Sequence, residues 1–449
     1  MKLQAGAATS NITPWLGVTM PGSFHPRYGE DVHDELLAKA LVIDNGDIRI
    51  AMVTCDLIAV PEAIANAVKA RIEERCGISP ECVMVNATHT HSGAGVSNLL
   101  GMGEDEGYTT WLPLKVADAV ELAIKRMQPA RAGFASVMED RISFYRRWLM
   151  KDGTVRMNPG LNNPDLVRPM GEIDPELAMM YVEGVDGTPI SVVASFSLHY
   201  VGTGSAGEVS ADYFGQFFNL MRHYIGGNCV PILWNAASGQ INNNDYSGER
   251  IWRDRGHPRA RRMANVLAGH VLTEIQLMDL DEELALEAVT GTLEFSRKVI
   301  TETDLDIAEQ ILAGGYEYEE GPFSWVVGQP VRKDRVGVYA RQCQRLAALP
   351  EQMTAPVQAI RLGDAAILAL PGEIFVETGL RIKAQTSASP LMLVSLANGY
   401  IGYVCTDEAL TQEGGYETWA SLSSLGGVGT VPAMESLSLS LLETLGFGG

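Results

Sequence analysis

Three short stretches, far apart in the chain, each end an apolar run on a side chain able to bind a metal ion. They are Val85-Asn86-Ala87-Thr88-His89-Thr90-His91-Ser92-Gly93, Ser195-Phe196-Ser197-Leu198-His199 and Leu368-Ala369-Leu370-Pro371-Gly372-Glu373. Two imidazoles and one carboxylate at strand ends suit a catalytic zinc ion, which takes three protein ligands and keeps one position open for water. The His89/His91 pair is the sharpest signal. The chain has only eight histidines, and residues two apart in an extended segment face the same way. A pair of hydrogen-bonded core histidines is the alternative. His199 and Glu373 taken singly say less, because a glutamate opening a helix is favoured by the helix dipole alone.

Positioning these groups falls to a strand–turn–strand pattern that recurs. Residues 37–44 and 48–57 flank Asn45-Gly46, a strong hairpin turn. Residues 177–182 and 189–198 flank a Gly-rich turn at 184–188, and 355–362 and 365–370 flank Gly363-Asp364. The second strand of each pair is nearly all apolar, as expected where both faces are buried. Each leads to a polar group: Asp56, His199 and Glu373. Residues 82–85 lead to His89, 230–234 to Gly239 and Gln240, and 391–396 to Asn398. Helical periodicity fills the intervals at 61–74, 111–127, 213–224, 258–277, 303–312 and 336–346.

Strands separated by helices, with polar groups gathered at strand ends, describe an α/β fold with its site on one rim. The hairpins make its sheets mixed. One domain is expected over residues 1–449. Within it the acidic, Gly-rich and aromatic segment 312–335 is read as a lid insert, or equally as a surface loop packed on its own aromatics.

A net charge of −21 argues against nucleic acid as a partner, since neutralising phosphates needs a basic face. Six cysteines without a CxxC pair are expected to be buried free thiols, as in a reducing compartment. The first residues lack an apolar leader core, and no run of eighteen apolar residues exists to span a membrane. The expectation is a cytoplasmic protein, or a secreted one if a leader has been removed. Its partner would be a small-molecule substrate, with homo-oligomerisation open.

These residues resemble the neutral ceramidases, zinc-dependent amidohydrolases of the sphingolipid ceramide. The resemblance runs from Asn11-Ile12-Thr13-Pro14 through the His89-Thr90-His91-Ser92-Gly93 element, His199 and Leu370-Pro371-Gly372-Glu373 to Asn398-Gly399-Tyr400-Ile401-Gly402-Tyr403. It implies mixed β-sheets packed together and flanked by helices, of the neutral-ceramidase catalytic-domain type. It implies Zn2+ held by His89, His199, Glu373 and Tyr403, with His91 beside the metal-bound water as polariser or proton-transfer partner. Arg146, in Phe144-Tyr145-Arg146-Arg147, matches an arginine that faces the substrate's polar head, and Arg147 is expected to bind substrate beside it. Tyr416 matches a tyrosine that donates to the developing oxyanion. Asp212 would orient a ligating imidazole from behind.

Two departures stand out. Ceramidases carry a G-D-x-S-P-N loop whose serine sits at the reaction centre. Here that loop reads Gly239-Gln240-Ile241-Asn242-Asn243-Asn244, which puts Asn242 at the serine position. An amide only hydrogen-bonds, so Gln240 and Asn242 are expected to orient substrate or water. The C-terminal β-sandwich of secreted ceramidases is also expected to be missing.

Arg250, Arg253, Arg255, Arg259, Arg261 and Arg262 crowd around His257-Pro258. They are either a solvated helix start or a recognition site for an anionic group, which guanidinium forks suit; Arg253, Arg255 and Arg259 would then contact substrate. Together these readings give a zinc-dependent hydrolase of an amide or ester bond in a small or moderately polar, anionic substrate, acting through metal-activated water. A zinc-dependent lyase of uronic-acid sugars, true ceramidase activity, and a non-catalytic sugar or lipid binder stay open beside it.

Overall fold

The computed structural model describes residues 2–100, 103–202, 206–250, 252–316 and 322–449. Strand β1 (Gln4–Asn11) leads into the first hairpin, β2 (Leu37–Asp44) and β3 (Arg49–Cys55), followed by helix α1 (Glu62–Cys76) and strand β4 (Val83–Ala87). Helix α2 (Glu106–Lys125) and β5 (Gln128–Met138) come next, then the hairpin β6 (Glu176–Gly184) and β7 (Pro189–Phe196), α3 (Asp212–Ile225), β8 (Val230–Asn235) and α4 (His257–Glu274). Strand β9 (Leu286–Ser296), α5 (Glu302–Leu312) and α6 (Val336–Ala347) precede the hairpin β10 (Gln352–Leu362) and β11 (Ala365–Ala369). Helix α7 (Val376–Lys383), β12 (Leu391–Val394) and α8 (Thr430–Thr444) follow.

All three expected hairpins form, and each continues identically. The second strand of the hairpin crosses through one helix to a parallel third strand: β3–α1–β4, β7–α3–β8 and β11–α7–β12. Such a ββαβ unit needs a helix-length crossover because parallel neighbours cannot be joined by a tight turn. The first two units share an eight-stranded sheet of order β8-β7-β6-β5-β1-β2-β3-β4, and the third builds a four-stranded sheet of order β9-β10-β11-β12.

The two sheets pack face to face, and side-chain alternation shows how. Leu41 and Ile43 of β2 meet Ile360, Ile367 and Met392 of the smaller sheet. Ala38, Ala40 and Val42 turn the other way, onto α1 and α2. In β7, Val193 faces the second sheet, while Val192, Ala194 and Phe196 pack with Tyr213, Phe217, Met263 and Leu267 of α3 and α4. Ala366 and Leu368 of β11 lie against Ile382 of α7 and Met434 and Leu442 of α8. The result is helix, sheet, sheet, helix, with the purely apolar strands buried on both faces. Each fully buried branched side chain contributes roughly 1.5–3 kcal/mol.

Helix α2 begins ahead of its apolar periodicity because the Asp105 carboxylate caps it, accepting the Tyr108 N–H at 3.0 Å. Of the segment read as a lid, residues 317–321 lie outside the described residues. Beyond them Phe323 and Val331 are buried with Tyr339 and Trp419, so this part is packed down. All six cysteines are free, and five of them are buried. Among the described residues no helix is long and apolar enough to cross a membrane.

Candidate metal centre

Each ββαβ unit delivers a donor to the same rim. After β4, the Thr88 N–H bonds the Cys55 carbonyl at 3.0 Å and the His89 N–H bonds the Leu57 carbonyl at 2.9 Å. His89 then takes φ +74°, a conformation rare outside glycine. That turn, and not the alternation of an extended segment, brings the His89 and His91 rings together. The first unit's other polar end, Asp56, stays away from the centre and binds Lys39. His199 follows the end of β7. Glu373 opens a short strand, Glu373–Ile374, paired in parallel with Tyr403–Val404, and stands opposite Tyr403.

His89 Nε2 lies 3.1 Å from His199 Nε2 and 3.3 Å from His91 Nε2. Glu373 Oε2 is 3.3 Å from His89 Nε2 and 3.6 Å from His199 Nε2. The far ring nitrogens fix the tautomers, because a nitrogen facing a carbonyl carries the hydrogen. His89 Nδ1 faces the Ile58 carbonyl at 2.6 Å, His199 Nδ1 the Ser238 carbonyl at 3.1 Å and His91 Nδ1 the Gly22 carbonyl at 3.2 Å. Burial first, then the charge of Arg146, holds His199 well below the ordinary histidine range; His91 is lowered by burial and then by His89. Neutral imidazoles of this tautomer present lone pairs at Nε2. The Tyr400 hydroxyl donates to Glu373 Oε1 at 2.7 Å, whereas Glu373 Oε2 is buried without a hydrogen-bond donor.

Lone pairs converging in this way repel unless a cation lies among them. Bonds of about 2.0–2.2 Å to a tetrahedral ion put ligand atoms roughly 3.3–3.6 Å apart. The observed 3.1–3.6 Å separations fit that spacing. The residues present therefore suit a small divalent ion such as Zn2+. The histidines belong to the group His89, His91 and His199, whose ligand atoms all lie within 4.8 Å.

A cavity of about 300 Å³ opens beside the centre, lined by His91, His199, Tyr200, Arg146, Tyr403, Tyr416, Asn158, Met157, Phe24, Asp334 and Arg335 among others. Arg146 is buried; its Nε donates to Glu417 at 2.9 Å and its Nη2 to the Tyr403 hydroxyl at 3.1 Å. Burial alone would weaken its proton affinity, but Tyr403 and Glu417 more than reverse this. Burial, and then the Glu373 charge, push the Tyr416 phenol up, so it stays a donor.

Other expected site residues lie elsewhere. The Asp212 carboxylate touches no imidazole: it accepts the Gly202 N–H at 2.9 Å and the Tyr213 N–H at 2.6 Å, tying down the segment after His199. The imidazoles are oriented by backbone carbonyls instead. Arg147 is buried against Glu413 at 3.0 Å and the Gly414 carbonyl at 2.6 Å, with no face on the cavity. Gln240 is buried between Glu377 and the Val376 N–H, a scaffold contact. Arg253 is exposed outside this cavity, and Arg255 and Arg259 line a neighbouring one. Residues 312–335 do contribute, through Asp334 and Arg335.

Sequence reasoning missed Tyr200, whose ring stacks on His91 at 3.7 Å, and Phe24, which lies under the Arg335 guanidinium at 4.1 Å. Tyr200 adjoins His199 and could have been found on that ground. Phe24, Asn158 and Arg335 come from loops without a pattern.

Asn242 also lies off the cavity wall. Its Nδ2 donates to Asn158 Oδ1 at 2.6 Å and to Tyr246 at 3.2 Å. Among the described residues no base contacts it. Asn242→Ser is accordingly expected to form no covalent intermediate, since a hydroxyl there has nothing to take its proton. Intact-mass measurement on the substrate-quenched variant checks this, and an acyl adduct on residue 242 would sink it.

The fold and centre together define an α/β protein with a candidate metal site on one sheet rim. No family model matches the chain. It is 25% identical over 456 aligned positions to the neutral ceramidase of Pseudomonas aeruginosa, covering 86% of this chain and 65% of that protein's length. The crystal structure of neutral ceramidase from Pseudomonas aeruginosa superposes with a TM-score of 0.73 at 22% identity, over 99% of this chain and 74% of the other. A ceramidase complexed with C2 gives 0.75 at 21% identity, over 99% and 75%. The two structural matches establish the shared fold, and in sequence the chain is similar to a neutral ceramidase.

Proposed function

We propose that this chain is a metal-dependent hydrolase that cleaves an amide or ester bond, with Zn2+ held by His89, His199, Glu373 and Tyr403. The observation that carries the reading is the convergence of two imidazole lone pairs and an unpartnered carboxylate oxygen at 3.1–3.6 Å beside a cavity. When bound, the ion would polarise a carbonyl and lower the pKa of water. The protein supplies the rest. His91 keeps its Nδ1 hydrogen on the Gly22 carbonyl, which leaves Nε2 to accept a proton from the attacking water and return it to the leaving group. Tyr416 donates to the developing oxyanion, and Arg146, clamped by Glu417, holds a fixed positive charge behind Tyr403.

The names of its relatives favour an amide as the scissile bond. A cavity of about 300 Å³ is at the small end of ligand sites and favours a small or moderately polar acyl part over a long chain. The six free cysteines support a cytoplasmic location.

The test is turnover in 18O-water across N-acyl, ester and uronate substrates, with metal content measured in the same preparation. One 18O per acid product together with one zinc per chain is expected. An ultraviolet-absorbing unsaturated product without 18O would replace hydrolysis by elimination.

A further inference from the structure

A second and larger cavity adjoins the first. It encloses about 510 Å³, and Asn158 stands in the walls of both. The wall is continuous along the chain: Tyr200 lines the smaller cavity, and Val201 and Gly202 line the larger. The larger one is faced by Asn243, Asn244, Tyr246, Trp252, Arg255 and Arg259. No carboxylate appears among its described lining residues, although the chain carries a net −21. A hollow lined by arginine and amide side chains and by no carboxylate stands apart from the acidic background of the chain.

The two arginines have different roles there. Arg259 is buried and fully engaged, with Nε on Asp254 at 3.1 Å and Nη1 on Asn243 Oδ1 at 3.0 Å and the Asn243 carbonyl at 3.2 Å. It fixes the amide wall and offers no free charge. Arg255 is exposed and has no ion-pair partner among the described residues. Asn158 is equally informative. Its Oδ1 accepts from Asn242 at 2.6 Å and Tyr246 at 2.8 Å, while its amide nitrogen has no partner among the described residues. Its backbone N–H bonds the Arg146 carbonyl at 2.9 Å, which couples it to the metal-side cavity.

We propose that the two cavities form one cleft, and that the larger is the subsite for an anionic, hydroxyl-bearing part of the substrate, of the sugar-acid type. The inference rests on the hydrolase reading for what happens at the other end of the cleft. Arg255 bonds the anion, for which a guanidinium fork is suited. The side-chain amides bond the hydroxyls, since an amide both donates and accepts as a hydroxyl does. Asn158 donates at the junction, where the scissile group leaves one compartment for the other.

The test is calorimetric titration of the full chain with glucuronate, glucose 6-phosphate and glucose. At least one anionic sugar is expected to bind ten-fold or more tightly than glucose, and Arg255→Gln to remove ten-fold or more of that preference. The identity of the preferred anion separates a carboxylate from a phosphate ligand. Equal affinity for all three sugars, or a preference that survives Arg255→Gln in a chain of unchanged melting temperature, would overturn the subsite. Repeating the titration after chelation keeps the two readings apart. Sugar-acid binding without turnover of any amide or ester would leave the subsite in place and defeat the hydrolase reading. Turnover of neutral amides with no sugar-acid binding would do the reverse.

Discussion

Glu373→Gln is expected to release the metal ion and lower kcat by about a thousand-fold or more, because an ion's polarisation is worth several kcal/mol and each 1.36 kcal/mol is tenfold. The metal-free variant is expected to be no less stable than the metal-free parent, and more stable by roughly 1 kcal/mol. Glu373 Oε2 has no donor and confronts His89 Nε2 at 3.3 Å and His199 Nε2 at 3.6 Å. An amide NH2 in its place can donate to one of those lone pairs, while Tyr400 keeps its bond to Oε1. His89→Ala is a poorer probe, because alanine would inherit a φ of +74°. Elemental analysis and thermal melts with and without zinc check the outcome. The parent should gain about 4 kcal/mol at a thousand times Kd, and the variant should gain nothing. A variant that keeps one zinc per chain and full turnover removes the assignment.

Lys39→Met is expected to destabilise the fold by about 3–5 kcal/mol, since it leaves a buried carboxylate unpaired. Lys39 Nζ lies 2.6 and 2.8 Å from the two Asp56 oxygens, and both side chains are at most 2% exposed. Burial pushes the Asp56 carboxyl up, and Lys39 draws it back down. The consequence reaches the centre through the backbone. The two residues after Asp56 give their carbonyls to the His89 N–H at 2.9 Å and to His89 Nδ1 at 2.6 Å. Metal affinity should therefore fall with stability, although Lys39 does not line the cavity beside the centre. Lys39→Met with Asp56→Leu should recover most of the loss, because a packed apolar pair replaces buried ions at little cost. Urea unfolding decides. A single variant that loses less than about 1 kcal/mol, or a double variant no better than the single, would show that the pair does not hold this segment.

Much of the architecture was legible because the hairpin strands are pure. Asn45-Gly46 and Gly363-Asp364 mark their turns, and residues 50–55 and 365–370 are apolar at almost every position. Strands β1 and β5 escaped because they are made of small residues, for a physical reason. A Cβ on Gly6 would lie 2.2 Å from the Ala123 carbonyl oxygen of α2, and one on Gly133 would lie 2.2 Å from the Asp279 carbonyl oxygen. Close approach demands residues that carry no strand signal. Helix α8 hides for another reason: Ser436-Leu437-Ser438-Leu439-Ser440-Leu441 alternates with period two, and tertiary packing overrides the pattern. Within the site, the three donors were readable from their strand ends. The anchoring carbonyls of Ile58 and Ser238 were not, since any residue type supplies one. Nor could the sequence separate Arg147 and Arg259, which are engaged by neighbours, from Arg255, which is not.

The division of the centre among three ββαβ units has a consequence for how the chain is made. The donors emerge from the ribosome in the order His89, His199, Glu373, and the carboxylate belongs to a different sheet from the imidazoles. On the proposed reading, a chain that ends before residue 373 carries the histidines but lacks the carboxylate, so the donor set is complete only once the smaller sheet has been made. An ion bound as proposed would bridge the two sheets, so its binding would depend on both having packed together.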